Sequence, residues 1–270
     1  MSWERSIVAW CDWMTAAGAP TTSIGLRRYH VQRVARELRT APRSVSVDQL
    51  TAWLAGQDWS PNTRRAYRSS LRSFYGWALA TGRVKSSPAH QLPPVKIPRP
   101  RPRPTPEEAF SDALRVADDR TRRALLLAGV CGLRRGEVAA VRGEHVERDL
   151  IGWSLRVKGK GGHVRLVPLP DDIAALLRAS GPGWVFPSSH GGHLTPHHLA
   201  KLVSRHLPAG LTMHTLRHRC ATVAYAATRD LRAVQELLGH AKPETTAIYT
   251  AVPDQAVLAA VASCAPGLAS

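Results

Sequence analysis

The chain is short of acids, aromatic rings and cysteines, and each shortage excludes something. Its four cysteines, Cys11, Cys131, Cys220 and Cys264, lie far apart in 270 residues and form no CxxC. They read as isolated reduced thiols of a cytosolic protein rather than a disulfide framework. No apolar run approaches the roughly 18 residues that a membrane-crossing helix needs. The first residues, MSWERSIVAWCDW, set Glu4 and Asp12 around a short apolar stretch, which is unlike a signal peptide. Aromatic residues make up 6%, so stacking of bases on an aromatic platform is not the expected binding mode. There is no GxxxxGK[ST] loop and no acidic cluster suited to a pair of Mg²⁺ ions, so neither ATP nor a metal is expected as cofactor. The acids number 20 against 37 Lys and Arg, which gives a net charge of +17 and a pI near 10.9. A field of that size attracts polyanions, nucleic acid first among them.

Charge and proline content divide the chain. Residues 1–92 carry thirteen Lys/Arg against five Asp/Glu. Within them SPNTRRAYRSSLRSFYGWALATGRV has the pattern of one long amphipathic helix. Ser60 is its expected N-cap, Pro61 its first residue and Gly82 its stop. Leu71, Phe74, Tyr75 and Ala78 fall on one stripe, and Arg64, Arg65, Arg68 and Arg72 on a face largely clear of it. Four arginines without an interleaved acid favour contact with DNA over a merely solvated face. Residues 93–104 form a linker whose prolines forbid helix. Lys96, Arg99, Arg101 and Arg103 stand among those prolines, as in a basic strap laid along a phosphate backbone. Residues 105–270 form the second domain. Thr105 and Glu108 have capping-box spacing, Gly132 breaks an apolar helix, and Thr195 and Pro196 open another. GWSLRVKGKGGHVRLVPL alternates about a glycine-rich turn and reads as a β-hairpin. The fold class expected is mainly α with a small β-sheet.

The chemistry concentrates in HTLRHRCATVAYAATRDLRAVQELLGHAKPETTAIYT, residues 214–250. His214 and Arg217 are three apart and share a helix face, Gly239 fits a C-terminal cap with His240 just past it, and Tyr249 follows in a short helix opening at Pro243. A phenol with a pKa near 10 is only about one part in a thousand ionised at neutral pH. It becomes a nucleophile beside a proton acceptor and cations, and the electrophile that suits clustered guanidiniums is a phosphodiester. Upstream, GLRRGEV supplies Arg134 and Glu137, and the tip of the hairpin supplies Lys160. The histidines of HGGHLTPHHL (His190, His193, His197, His198) fit no zinc spacing, so no metal site is expected there.

GLRRGE, GKGGHVRLVPL, HTLRH, LLGH and TTAIYT stand in this order at suitable separations. Together they resemble the tyrosine site-specific recombinases, the phage integrase and Xer-type family, and the resemblance spans nearly the whole chain. It implies a helical core-binding domain and an α+β catalytic domain that close around duplex DNA as a clamp. It also implies roles: Arg134 and Arg217 clamp the scissile phosphate, Lys160 protonates the departing 5′-oxygen, His214 accepts the tyrosine proton and His240 adds a hydrogen bond. Tyr249 attacks to form a 3′-phosphotyrosyl link, and Glu137 supports the site. Two protomers per duplex and four per synapse are implied, with an accessory directionality factor as a further partner. The tail after Tyr249, a short helix opening at Pro253, either docks on the neighbouring protomer or packs on its own domain.

The chain departs from the family in three places. His163 stands where another basic residue is common. AATRDL lacks a glycine before its aspartate. The core-binding pattern begins almost at residue 1, so the expectation is a compact phage integrase without an arm-binding domain, acting in the cytoplasm. Two other readings remain: a type IB topoisomerase-like nicking-closing enzyme, and a sequence-specific DNA-binding protein without strand exchange.

Overall fold

Ser60 starts the longest helix among the described residues by accepting a hydrogen bond from the Thr63 amide, with Pro61 in the first turn. That helix belongs to a computed structural model that describes residues 2–98, 102–150, 152–159 and 162–239. The chain divides into two units, Met1–Arg99 and Pro100–Ser270.

The first unit is helical: α1 (Trp3–Ala16), α2 (Thr21–Leu38), α3 (Val47–Ala55) and α4 (Pro61–Ala80). The stripe expected on α4 is its buried face, since Leu71, Phe74, Tyr75 and Ala78 are fully enclosed. Phe74 packs against Trp3, Trp10, Tyr75 and Trp77, so one ring ties α1 to α4. Enclosing a side chain of this size stabilises the unit by about 1.5–3 kcal/mol. The arginines of α4 have partners of their own. Arg64 donates to Gln57 O, Arg68 donates twice to Leu92 O, and Arg72 donates to His90 O, while Arg65 is exposed. Leu92 itself is buried, and Leu92 to Lys96 share a groove with Arg64 and Arg68.

The second unit contains α5 (Glu107–Val116), α6 (Asp119–Gly129), α7 (Arg135–Ala139), β1 (Val146–Arg148), β2 (Trp153–Lys158), β3 (Val164–Leu169), α8 (Asp171–Arg178), α9 (Pro196–Ser204), α10 (Met213–Thr228) and α11 (Leu231–Leu238). The apolar α6 is enclosed through Ala124, Leu125, Leu127 and Ala128, and it packs most extensively on α10. The sheet is antiparallel in the order β1-β2-β3, with Leu155 opposite Val167 and Val157 opposite Arg165. The expected hairpin is β2 and β3; the three-residue β1 carries too little alternation to be read from sequence. Thr195 caps α9 as expected, through the His198 amide.

One expected cap is corrected. Helix α5 begins at Glu107 behind Pro106, and Thr105 does not cap it. Thr105 is buried and bonds Thr215 twice, amide to carbonyl and hydroxyl to hydroxyl. A tertiary partner has displaced the local one. AATRDL also behaves unusually: Arg229 closes α10 at φ 56, in the left-handed region that glycine favours, with its guanidinium over the Tyr225 ring.

Arg39 closes α2 in the same way, at φ 53, and its side chain is exposed. A left-handed residue with a Cβ costs about 1–2 kcal/mol, and glycine returns part of that through its freer unfolded chain. Arg39→Gly should therefore stabilise the first unit by about 0.5–1 kcal/mol. Six of the eight tryptophans lie in this unit, so fluorescence in a urea titration follows its unfolding. An unchanged or lowered midpoint would contradict the assignment of strain to Arg39.

Candidate active site

Gly132, at φ 66, ends the α6 turn where a Cβ would lie 2.9 Å from Leu238 and 3.0 Å from the Cys220 sulfur. The chain then turns into α7 with Arg134 at the N-cap and Glu137 in the first turn. Glu137 reaches back to the Arg134 amide (2.9 Å) and guanidinium (2.8 Å). Its two oxygens also accept both terminal nitrogens of Arg165, at 3.1 and 2.9 Å. A third guanidinium, that of Arg217, stands 3.9 Å away. Glu137 is buried, and burial alone would raise its carboxyl. The hydrogen bonds from Arg165 and Arg134 outweigh burial and hold it down at about 2.

The same three arginines meet the end of α11. Arg165 Nε donates to Leu237 O (3.3 Å), Arg217 to Leu238 O (2.7 Å) and Arg134 to Gly239 O (3.1 Å). Helix C-termini leave carbonyls unpaired and carry partial negative charge, so cations belong there. Here three successive carbonyls receive one guanidinium each, from a loop, a strand and a helix. Gly239, at φ 61, makes this possible, because a Cβ would lie 2.9 Å from Arg165 Cδ. Arg217 also donates to Gly132 O, which joins the break after α6 to the end of α11.

One carboxylate among three guanidiniums leaves an excess of positive charge. Arg134 and Arg217 line a cleft of about 390 Å³ with Arg135, Ala200, Ser204, Thr212, Met213 and His214. Fixed cationic donors at a cleft suit the non-bridging oxygens of a phosphate and its transition state. His214 lies in the first turn of α10 and faces His218 one turn on, with Nε2 to Nε2 at 3.0 Å and the rings near perpendicular. Desolvation, then the charges of Arg217 and Arg134, lowers the His214 pKa. Desolvation, then His214 and Arg217, pushes His218 down to about 4.

Of the residues singled out in the sequence, Arg134, Glu137, His214 and Arg217 come together. Lys160, His240, Tyr249, the helices expected at Pro243 and Pro253, Arg99 and Arg101 lie outside the described residues. Two neighbours do not: Gly159 sits beside Glu137 and Arg165, and Gly239 is held by Arg134. Lys96 and Arg103 are exposed. Among the described residues no three His, Cys, Asp or Glu side chains converge as a metal site. His193 bonds Leu194 O and His190 bonds Ser189.

Sequence reasoning missed Arg165 and His218. Arg165 alternates with Val167 and Leu169, both buried, so it occupies an inward position of β3. A charge at an inward position was the available signal. His218 is four residues after His214, hence its neighbour on the helix. Arg219, by contrast, lies two residues past Arg217 and points elsewhere. It forks onto Glu107 at 2.8 and 2.7 Å, donates to Gly129 O and covers the Phe110 ring.

A family model described as the phage integrase family matches residues 106–256. Tyrosine recombinase XerC of Xanthomonas campestris pv. campestris (strain B100) is 35% identical over 208 residues, 71% of this chain and 64% of the relative. The chain thus spans just under two thirds of the length of that relative. XerC of Azotobacter vinelandii (strain DJ / ATCC BAA-1303) is 32% identical over 242 residues, 82% of this chain and 80% of the relative. Among solved structures, a lambda integrase (75–356) dimer bound to a COC′ core site superposes with a TM-score of 0.75 at 19% identity, covering 92% of this chain and 95% of that one. XerH bound to palindromic difH gives 0.72 at 20% identity, covering 93% and 82%. At such identities the two structures speak for the fold.

Glu137 supplies a prediction whose sign is fixed. Its folded pKa is depressed, so its contribution is complete above the ordinary value of 4.5 and is lost as pH falls towards about 2. Glu137→Gln should destabilise the second unit by about 3–5 kcal/mol at neutral pH, by leaving buried guanidiniums without their counter-charge. It should also flatten the stability profile across that acid window. Circular dichroism in denaturant at a series of pH values reads both. Parallel profiles for the variant and wild type would remove Glu137 as the hub.

Proposed function

The chain belongs to the phage integrase family of tyrosine recombinases, and we propose that it cuts and rejoins DNA strands at a specific site through a 3′-phosphotyrosyl intermediate. The observation that carries this reading is the pair Arg134 and Arg217, fixed on one carboxylate and on helix-end carbonyls while both line the cleft that holds His214. In this reading the Tyr249 oxygen attacks the scissile phosphorus. The new O–P bond forms as the bond to the 5′-oxygen breaks, so the phosphodiester energy is conserved and no nucleotide is consumed. Arg134 and Arg217 neutralise the charge on the non-bridging oxygens, Lys160 protonates the leaving oxygen, His214 takes the phenolic proton and His240 donates to the phosphate.

In this reading the helical unit and the linker add contacts to duplex DNA, with Arg64, Arg65, Arg68, Arg72, Lys96, Arg99, Arg101 and Arg103 as the candidates for meeting the phosphate backbone. A guanidinium has five donors, so an arginine that already holds a carbonyl can also meet a phosphate, with its position set in advance. Lambda integrase has been seen as a dimer on a core site and a tetramer on a Holliday junction. Those assemblies support two protomers per duplex and four per synapse here. The expected role was phage integration. The likeness to XerC recombinases over most of the chain supports site-specific recombination in either role, and the sequence trapped on Tyr249 distinguishes integration from exchange between paired chromosomal sites.

The test is covalent trapping on nicked duplexes tiled from candidate sites. Wild type should leave denaturant-resistant adducts on one sequence, and Tyr249→Phe should bind that sequence and leave none. Adducts on every duplex would favour the nicking-closing reading, and none on any duplex a DNA-binding protein. Lys160→Ala should slow cleavage on the order of 10²–10⁴-fold. A 5′-thio leaving group, which needs no proton, should restore the rate; without rescue, Lys160 is not the acid.

A further inference from the structure

The contact between His214 and His218 constrains which nitrogen of His214 can do chemistry. At 3.0 Å, Nε2 to Nε2, there is room for one proton between the rings: one nitrogen donates and the other accepts. Suppose His218 is the donor. His214 Nε2 is then occupied as acceptor and Nδ1 carries the ring's only N–H, so no lone pair remains to receive a proton. Suppose His214 is the donor. Nδ1 is then bare, and it is the nitrogen left over for the cleft.

We infer that His218 is a positioning residue whose Nε2 accepts a hydrogen bond from His214 Nε2–H, fixing the tautomer in which Nδ1 of His214 is the base. The inference rests on the proposed recombinase reading, in which His214 takes the phenolic proton. As the O–H bond of Tyr249 breaks, an N–H bond forms at Nδ1, and Nε2–H stays on His218 throughout. The reverse step returns the proton from Nδ1. In the charged state both nitrogens of His214 carry hydrogen, so only an accepting His218 is compatible with the contact. The neighbours keep His218 in that role. Arg217 from the same helix is cationic, and so is His214 itself once it holds the phenolic proton; these are the charges that act on His218. A second imidazolium is disfavoured there, in line with the low pKa of His218.

The test uses the full chain with ring-¹⁵N histidine, free in solution, with His214→Gln and His218→Gln for assignment. At pH 7 the wild-type His214 should show a protonated Nε2 and a bare Nδ1, and His218→Phe should give the mixed tautomers of the exposed His197 and His198. A protonated Nδ1 in wild type, or an unchanged spectrum in His218→Phe, overturns the inference. On the trapped duplex, His218→Phe should slow adduct formation by about 10²-fold and move the acid limb of the rate profile. His218→Gln, whose amide oxygen can accept, should keep most of the rate; equal loss in both variants would reduce His218 to a packing role and defeat the inference. If wild type forms no adduct at all, the recombinase reading falls, while the spectra still decide the tautomer.

Discussion

The carboxylate of Glu137 is the interaction on which the second unit depends. It accepts from Arg134 and Arg165 and stands beside Arg217, and these three side chains come from three elements that are distant in sequence. Buried arginines repel one another and lose hydration, so without a counter-charge they would separate or draw in water. With it they become fixed donors. The carbonyl end of α11 completes the arrangement by taking the guanidinium nitrogens that Glu137 leaves over. The glycines at 132 and 239 follow from the same demand, since each sits where a Cβ would intrude on the cluster or its backing.

This arrangement separates holding from acting. Arg165 faces inward and serves to hold, while Arg134 keeps two-fifths of its side chain exposed and can meet an anion. Arg217 is buried yet borders the cleft, so a phosphate that reached it would exchange water for donors that need no rearrangement. Arg219, two residues on, shows the helix dividing its arginines by phase: one for the site, the other for the joint between α5, α6 and α10.

Local signals in the sequence were enough to give the caps at Ser60 and Thr195, the breaks at Gly132 and Gly239, the buried stripe of α4 and the hairpin. Each of these depends on neighbours within a turn or two. What escaped depended on distant partners. Thr105 had the spacing of a cap but is bonded to Thr215, which lies 110 residues away. Arg165 looked like one more basic residue in a basic protein until the strand face it occupies was known. The arginines of α4 were expected on an open face, and three of them are anchored to carbonyls of the loops around the helix. Arg134, Glu137, His214 and Arg217 were legible because five motifs in order are a pattern that chance seldom makes, whereas no single one of them was decisive.

The guanidiniums at the end of α11 have a thermodynamic implication. Arg134 and Arg217 each divide their donors between helix carbonyls and the cleft, so occupancy of the cleft and the seating of α11 are linked functions. An anion in the cleft competes for the same guanidinium charge that holds the carbonyls of Leu238 and Gly239, and by reciprocity a more tightly held helix end lowers affinity for the anion. Binding free energy at the cleft is thereby coupled to the seating of Leu238 and Gly239 at the end of α11.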